Sequence, residues 1–183
     1  MANTTKTTYQ TGTWNIDPAH TTASFSARHM MITKVRGTFR ALSGTIQLTD
    51  DPTQSSVQAT IQAGSIETGE PQRDAHLKSP DFLDADQYPT LEFASTAVRS
   101  VRGIYEVDGE LTIHGVTRPV TLEVEATGVG KDPWGGTRAG FEATTRINRS
   151  DFGMTFNQTL ETGGVLVSDR IDITLEVEAV LAG

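Results

Sequence analysis

The segment "IDITLEVEA", residues 171–179, alternates apolar and polar side chains without interruption. Every odd-numbered residue from Ile171 to Ala179 is apolar, and every even-numbered residue from Asp172 to Glu178 is polar. Successive side chains of an extended strand point to opposite faces, so this pattern predicts a β-strand with one buried face and one solvated face. The predicted fold depends on how often this pattern recurs along the chain.

The same alternation returns through most of the chain, and short turn signals separate the alternating segments. The spacing of these signals is typical of antiparallel strands joined by hairpins. The turn signals are Arg102-Gly103, His114-Gly115, Asp132-Pro133 and Gly135-Gly136. The sequence predicts about eight strands in meander order, near residues 21–31, 36–48, 55–66, 90–101, 104–113, 116–128, 137–147 and 165–181.

The dipeptide Asp108-Gly109 also has the composition of a hairpin turn. A turn there would divide one long strand into two stubs, whereas the neighbouring strands are long. We therefore predict that Gly109 lies inside a strand, at a bend or a bulge.

Long antiparallel strands with one apolar face can pack as a sandwich or close into a barrel, and closure removes the exposed edges. An eight-stranded barrel is filled by its own side chains or holds one small ligand, depending on the size of its inward residues. Here many inward positions are small and alternate with phenylalanines, which predicts an elongated apolar slot. The small positions are Ala23, Ala27, Ala41, Ala59, Ala63, Ala126, Ala139 and Ala143.

Length, charge and composition limit the possible functions. A chain of 183 residues suits one domain, and no apolar run approaches the ~20 residues of a membrane-spanning helix. The net charge of −8 disfavours binding to nucleic acid or to anionic membrane surfaces. There is no cysteine, which excludes disulfides, zinc-thiolate sites and thiol catalysis.

The first residues, "MANTTKTTYQTG", lack the apolar core of a signal peptide. They predict a flexible N-terminal tail over residues 1–12, followed by a single domain over residues 13–183. The expected location is cytoplasmic.

The segment "EPQRDAHLKSPDFLDADQYP", residues 70–89, is a long and highly charged connection between strands. Pro71 suits the first turn of a helix and Pro80 would end it, so a short helical segment is predicted within the 67–89 connection. A long connection in a chain of tight turns usually covers or gates something.

This connection has three possible interpretations. Catalysis needs an acid and a base held rigidly within hydrogen-bond reach, which a short solvated segment does not offer. A metal site is disfavoured because Asp74 and His76 diverge on a helix. The favoured interpretation is a cap over one end of the barrel. In it, Arg73, Asp74 and Lys78 form ion pairs, Leu77, Phe82 and Leu83 close the barrel mouth, and Arg73, His76 or Lys78 also contacts a ligand's polar head.

Two other positions carry expectations. His29 falls on the apolar face with Phe25, Ala27 and Met31, where it would be a hydrogen-bonded core residue or contact an oxygen of a bound lipid. Arg149 is expected to pair with Asp151 and to shape the loop before the last strand.

Four segments together resemble the YceI-like family of lipid-binding, lipocalin-like barrel proteins, over nearly the whole chain from Trp14 to Ala179. They are "WNIDPAHTTASFSARHMMITKVRGTF", "SIETGEPQRDAHLKSPDFLDADQYPTLEF", "DGELTIHGVTRPVTLEV" and "RINRSDFGM". The resemblance implies an all-β, extended eight-stranded antiparallel β-barrel that holds a long isoprenoid chain or a similar amphiphile, without a cofactor. Many members of the family are exported, and a homodimer is a reasonable expectation from the resemblance.

The predicted function is to bind, store or transport a long-chain apolar amphiphile, without catalysis and without a metal. The alternatives are an enzyme acting on an isoprenoid or lipid-like substrate, and a ligand-free structural barrel packed solid. The candidate ligand-binding residues are Phe25, Ala27, His29, Met31, Phe39, Ala59, Ile61, Arg73, His76, Leu77, Phe82, Phe93, Leu111, Phe141, Phe152 and Met154.

Overall fold

A computed structural model describes residues 9–183 of the chain, which form eleven strands and one α-helix. Within this range no helix is long and apolar enough to cross a membrane. Three short 3₁₀ helices also occur, at Pro52–Gln54, Ala63–Ser65 and Arg149–Phe152. The other elements are β1 Gly12–Ile16, β2 Thr22–His29, β3 Thr33–Phe39, β4 Leu42–Leu48, β5 Ser56–Gln62, β6 Ile66–Glu67, α1 Pro71–Lys78, β7 Thr90–Val101, β8 Ile104–Ile113, β9 Val116–Lys131, β10 Thr137–Asn148 and β11 Arg170–Leu181.

Strand pairing closes the sheet into a ring. The hydrogen-bonded order is β1-β4-β5-β7-β8-β9-β10-β11, and β11 pairs back onto β1, with Trp14 opposite Leu181. The strands β2, β3 and β6 continue β1, β4 and β5 at one end, because β2 also pairs with β11 and β3 pairs with both β2 and β6. The result is the predicted closed, eight-stranded antiparallel barrel, and not a sandwich.

The strand boundaries differ from the predicted ones where the backbone turns. The first predicted strand, residues 21–31, ends at His29, since Met30 and Met31 have positive φ values of 51° and 60° and form the turn to β3. The last predicted strand begins only at Arg170. The strand β1 was not predicted from the sequence. By contrast, β7 and β8 have the predicted bounds.

Glycines beneath two aromatic rings keep the lumen open. Gly109 lies inside β8, as predicted, and the bulge falls opposite it in β7. A Cβ atom at Gly109 would overlap the ring of Phe93, and one at Gly37 would overlap the ring of Phe25. Each ring therefore lies against the wall over its glycine, where it occupies less of the central space.

The N-terminal segment reaches the barrel before β1 begins. The ring of Tyr9 stacks on Phe141 with centroids 5.5 Å apart, and the Trp14 indole N–H donates to the Gln10 carbonyl at 3.0 Å. Residues 1–8 lie outside the described residues, so the expected flexible tail over residues 1–12 stays an expectation for that part.

An ion-pair network ties the chain together near the β1–β11 seam. The Arg138 guanidinium donates to Asp17 at 2.7 Å and to Asp132 at 2.9 Å, and it also contacts Glu178. Asp17, His20 and Glu178 lie close enough together to suggest a metal site. However, Arg138 already contacts both carboxylates, so the cluster is satisfied as an ion-pair network.

This network predicts a dependence of stability on pH. Hydrogen bonds from Arg138, and then from His20, lower the pKa of Asp17 to about 2. Because this pKa lies below the unfolded value of about 3.9, the stabilisation is complete above about pH 4 and is lost as the pH falls towards 2. The Asp17→Asn variant should lack this contribution, about 1 kcal/mol for a partly exposed pair.

Urea unfolding at pH values between 5 and 2 measures the effect. Wild-type protein should lose its free energy of unfolding more steeply than Asp17→Asn across this interval. Asp86→Asn, a change at an exposed aspartate in the 70–89 connection, is the control and should follow the wild-type curve. Parallel curves for wild type and Asp17→Asn would contradict the prediction.

Candidate functional site

The barrel encloses an apolar cavity of about 630 Å³. This volume lies within the range of small-molecule binding sites. Wall residues such as Phe93, Leu111 and Ile173 are only partly buried, although they point inward, because the space in front of them is not filled by other side chains. The lumen is therefore an apolar slot, as the small inward residues predict.

Most of the predicted binding residues lie on the wall of this cavity. The strands supply most of them through their inward positions, and α1, the connection after it and the segment after the last 3₁₀ helix supply the rest. Those on the wall are Phe25, Ala27, Phe39, Ala59, Ile61, Leu77, Phe82, Phe93, Leu111, Phe141 and Met154.

The structure corrects the inward placement of His29 and Met31. His29 is exposed and Met31 is 54% exposed, and neither belongs to the cavity wall. The alternation of β2 ends at His29, and Met31 lies in the left-handed turn that follows, so the face assigned from Phe25 and Ala27 does not extend to them.

Arg73 and His76 also lie away from the wall. Arg73 donates from Nε to the Thr68 hydroxyl at 2.7 Å and from Nη2 to the Thr68 carbonyl at 3.0 Å. The His76 ring lies 2.8 Å from the Asp81 carboxylate. Both side chains therefore hold the connection together, and the expected contact with a ligand head has no geometric support.

The predicted cap is present and closes one end of the barrel. Phe82 and Leu83 are buried, and with Leu77 they face the cavity. The Phe82 ring packs 5.3 Å from the ring of Phe156, which fixes the connection against the segment before β11. The expected ion pairs of Asp74 are replaced by hydrogen bonds, since its carboxylate accepts from the Thr68 N–H at 2.8 Å.

The buried residue Phe152 lies behind the wall at this closed end. It is 1% exposed and packs in the core with Leu83, Leu91 and Ile113, not on the cavity surface. Its predicted role as a lining residue is therefore corrected to a core role. The loop before the last strand carries no alternation, so the sequence does not distinguish a place on the wall from a place in the core for Phe152.

Arg149 is a wall residue that sequence reasoning missed. It does not pair with Asp151; its guanidinium instead donates to the backbone carbonyls of Met154, Val167 and Ser168. The inward series of β10, which includes Ala143 and continues at every second residue, reaches position 149. That periodicity was the signal that could have identified it.

The opposite end of the cavity is its mouth. Thr11, Asp50 and Pro52 line the cavity there and are exposed to solvent, whereas the wall residues at the cap are mostly buried. Tyr9 lines the same end. Its hydroxyl oxygen is buried without a hydrogen-bond partner among residues 9–183, and burial raises its pKa. Trp134 is 86% exposed in the turn between β9 and β10.

Comparisons with known proteins agree with this geometry. Protein YceI of Shigella flexneri is 38% identical over 162 residues, covering 88% of this chain and 82% of its own. The crystal structure of Burkholderia cenocepacia BcnA is 25% identical with a TM-score of 0.76, covering 89% of this chain and 98% of that chain.

A third similarity concerns the fold alone. A domain from Saccharophagus degradans, described as polyisoprenoid-binding and implicated in plant cell wall breakdown, superposes with a TM-score of 0.72 at 14% identity. The match covers 94% of this chain and 100% of that chain. The family model of the YceI-like domain matches residues 14–179. This protein belongs to the YceI-like domain family.

Proposed function

We propose that this protein binds a long-chain apolar amphiphile in the lumen of its barrel, and that it stores or transports this ligand without chemical conversion. The observation that carries the proposal is the cavity of about 630 Å³ with its apolar wall. An unfilled apolar cavity destabilises a protein core, so a barrel that keeps one is suited to a ligand that fills it.

The proposed ligand class is a polyisoprenoid, such as an isoprenoid quinone precursor or a polyprenyl phosphate. A long chain has to bend within the slot. The wall includes the flexible, unbranched side chain of Met154 and the flat rings of Phe25 and Phe93, which can adapt to such a chain. The Saccharophagus degradans domain, which shares the fold, is the one described as polyisoprenoid-binding. The proposal for this chain rests on its own cavity.

Two alternatives make different predictions. A structural barrel packed solid would show no saturable binding in a dye-displacement titration, and the open cavity argues against it. An enzyme would convert prenyl phosphates in a turnover assay. The cytoplasmic location and the homodimer stay predictions, and native mass spectrometry of gently purified protein tests the oligomeric state and identifies any lipid that copurifies.

Binding affinity should rise with chain length. Each methylene-sized group that leaves water contributes about 0.8 kcal/mol, so an added five-carbon isoprene unit contributes up to about 4 kcal/mol and should tighten binding by about 100-fold or more until the cavity is full. The measurement is displacement of an apolar dye by geraniol, farnesol and geranylgeraniol. Equal affinity for the three alcohols would contradict binding in an elongated apolar slot.

A further inference from the structure

A buried arginine forms part of the closed end of the cavity. Arg149 is 4% exposed and lies on the cavity wall near Phe82, whose ring centroid is 5.8 Å from the guanidinium carbon. Its Nη1 donates to the Met154 carbonyl at 2.8 Å and its Nε to the Ser168 carbonyl at 3.0 Å. A third, longer contact of 3.4 Å reaches the carbonyl of Val167.

Among residues 9–183, this guanidinium has N–H donors without an acceptor and a positive charge without an ion-paired carboxylate. An arginine side chain carries five N–H donors, and the three carbonyl contacts account for three of them. No carboxylate forms an ion pair with Arg149 within residues 9–183. The carboxylate of Asp169 acts on Arg149 only through space, and it already accepts from the N–H and the hydroxyl of Ser150. A buried cation without a bound anion is costly, and an anion that enters the cavity would offset this penalty.

The charges on the cavity wall are distributed unevenly. Arg149 is the one cation among the described wall residues, and it lies at the closed end. Asp50 lies at the exposed mouth. Glu92, the other charged residue of the wall, follows Leu91 of the closed-end core, but it is exposed and accepts a hydrogen bond from the Thr90 hydroxyl at 3.0 Å. A negatively charged end group is therefore attracted to the closed end and is repelled at the mouth.

We propose that Arg149 binds the acidic end group of the ligand, a carboxylate or a phosphate, so that the amphiphile lies head-first with its apolar chain directed to the mouth. This inference rests on the proposed function and adds the headgroup class and the orientation. In this orientation the oxyanion accepts hydrogen bonds from the unpaired N–H groups of Arg149, and the apolar chain of the ligand contacts the apolar wall.

The first test compares two probes with the same chain, geranylgeranyl phosphate and geranylgeraniol, by dye displacement with the full-length protein. Wild type should bind the phosphate about tenfold or more tightly than the alcohol, as expected for hydrogen bonds to a charged group. Arg149→Met should abolish this preference, so that this variant binds the phosphate and the alcohol with equal affinity. Arg149→Lys should keep part of the preference.

Arg146→Met is the matched control, because Arg146 lies three residues earlier, is 69% exposed on its side chain and pairs with Asp172 on the outer face. It should keep the wild-type preference for the phosphate. An equal loss in Arg146→Met and Arg149→Met would overturn the proposal, because it would assign the effect to general surface charge.

A second test reports orientation without any change at Arg149. Arg149 and Phe141, which stacks on Tyr9 near the mouth, are separated by roughly 25 Å along the strand. Trp14 packs against Tyr9 and Phe141, and Trp134→Phe leaves Trp14 as the sole tryptophan of the chain. In that variant, hexadecanoic acid brominated at its terminal methyl carbon should quench Trp14 fluorescence more strongly than the acid brominated beside its carboxylate.

The outcomes separate the two proposals. If no probe binds saturably, the proposed function fails, and the head-first orientation fails with it. If the alcohol and the phosphate bind equally and the bromine beside the carboxylate quenches more strongly, the barrel binds a lipid but Arg149 does not hold its head. In that case Arg149 serves only to order the segment between Met154 and Ser168.

Discussion

Replacing Ala59 by tryptophan should weaken the binding of geranylgeraniol by about 100-fold or more. Ala59 lies on β5 at the middle of the cavity wall, opposite Phe93 on β7. An indole at this position occupies space that the chain needs. Displacing only four methylene-sized groups from the wall costs about 3 kcal/mol of binding free energy, which corresponds to roughly 100-fold in affinity.

The neighbouring strand offers a matched control. Ala94 on β7 pairs with Gln58, directly beside Ala59 in the sheet, but its side chain is exposed on the outer face. Ala94→Trp adds the same indole to the same region of the barrel without entering the lumen. It should bind geranylgeraniol with the wild-type affinity, and thermal unfolding of both variants shows whether the barrel is intact.

Two results would exclude lumen binding. Wild-type affinity in a folded Ala59→Trp protein would mean that the alcohol binds elsewhere on the surface. An equal loss of affinity in Ala59→Trp and Ala94→Trp would mean that the added indole acts through the sheet and not through the cavity.

Alternation predicted the strands well because one face of each strand packs inward around the whole ring. The bounds of β7 and β8 were predicted because two-residue turns with positive φ, such as Arg102-Gly103, allow little other geometry. The same signal failed in short elements. The strand β1 has only five residues, Gly12–Ile16, and follows a threonine-rich segment, so its pattern was too brief to distinguish.

The cavity wall was predicted where a residue continues a strand and was mispredicted where the strand stops. Phe25 and Ala27 are inward because they precede the end of β2, whereas Met31 follows it in a left-handed turn. Arg149 shows the converse. It was expected to pair with Asp151 in the loop, but its register continues the inward face of β10, and backbone carbonyls of the next segment accept from three of its five N–H donors. Hydrogen bonding of this kind depends on tertiary contacts that periodicity does not contain.

Closure of the ring depends on a short seam, and this seam carries the largest predicted effect on stability. Among residues 9–183, only β1 joins β4 to β11, and it meets β11 at three residue pairs, including Trp14 with Leu181, while β2 pairs with β11 farther along. Trp14 is 0% exposed and packs against Ala139 and Ala179, two alanines that leave room for its indole.

Trp14→Ala should therefore lower the free energy of unfolding by about 3–5 kcal/mol, the usual range for deleting a buried aromatic side chain. The loss includes the cavity left between Ala139 and Ala179 and the hydrogen bond from the indole N–H to the Gln10 carbonyl. Urea unfolding followed by far-UV circular dichroism measures the change. The chain supplies its own control, because the second tryptophan, Trp134, is 86% exposed.

Trp134→Ala should change the free energy of unfolding by no more than about 0.5 kcal/mol, as is usual for exposed positions. The difference between the two variants thus isolates the burial of Trp14 from the loss of an indole as such. If both variants unfold at the same urea concentration as wild type, the indole of Trp14 does not hold β1 in the ring. The barrel would then owe its closure to the backbone pairing of β1 with β4 and β11, and to the Arg138 network beside it.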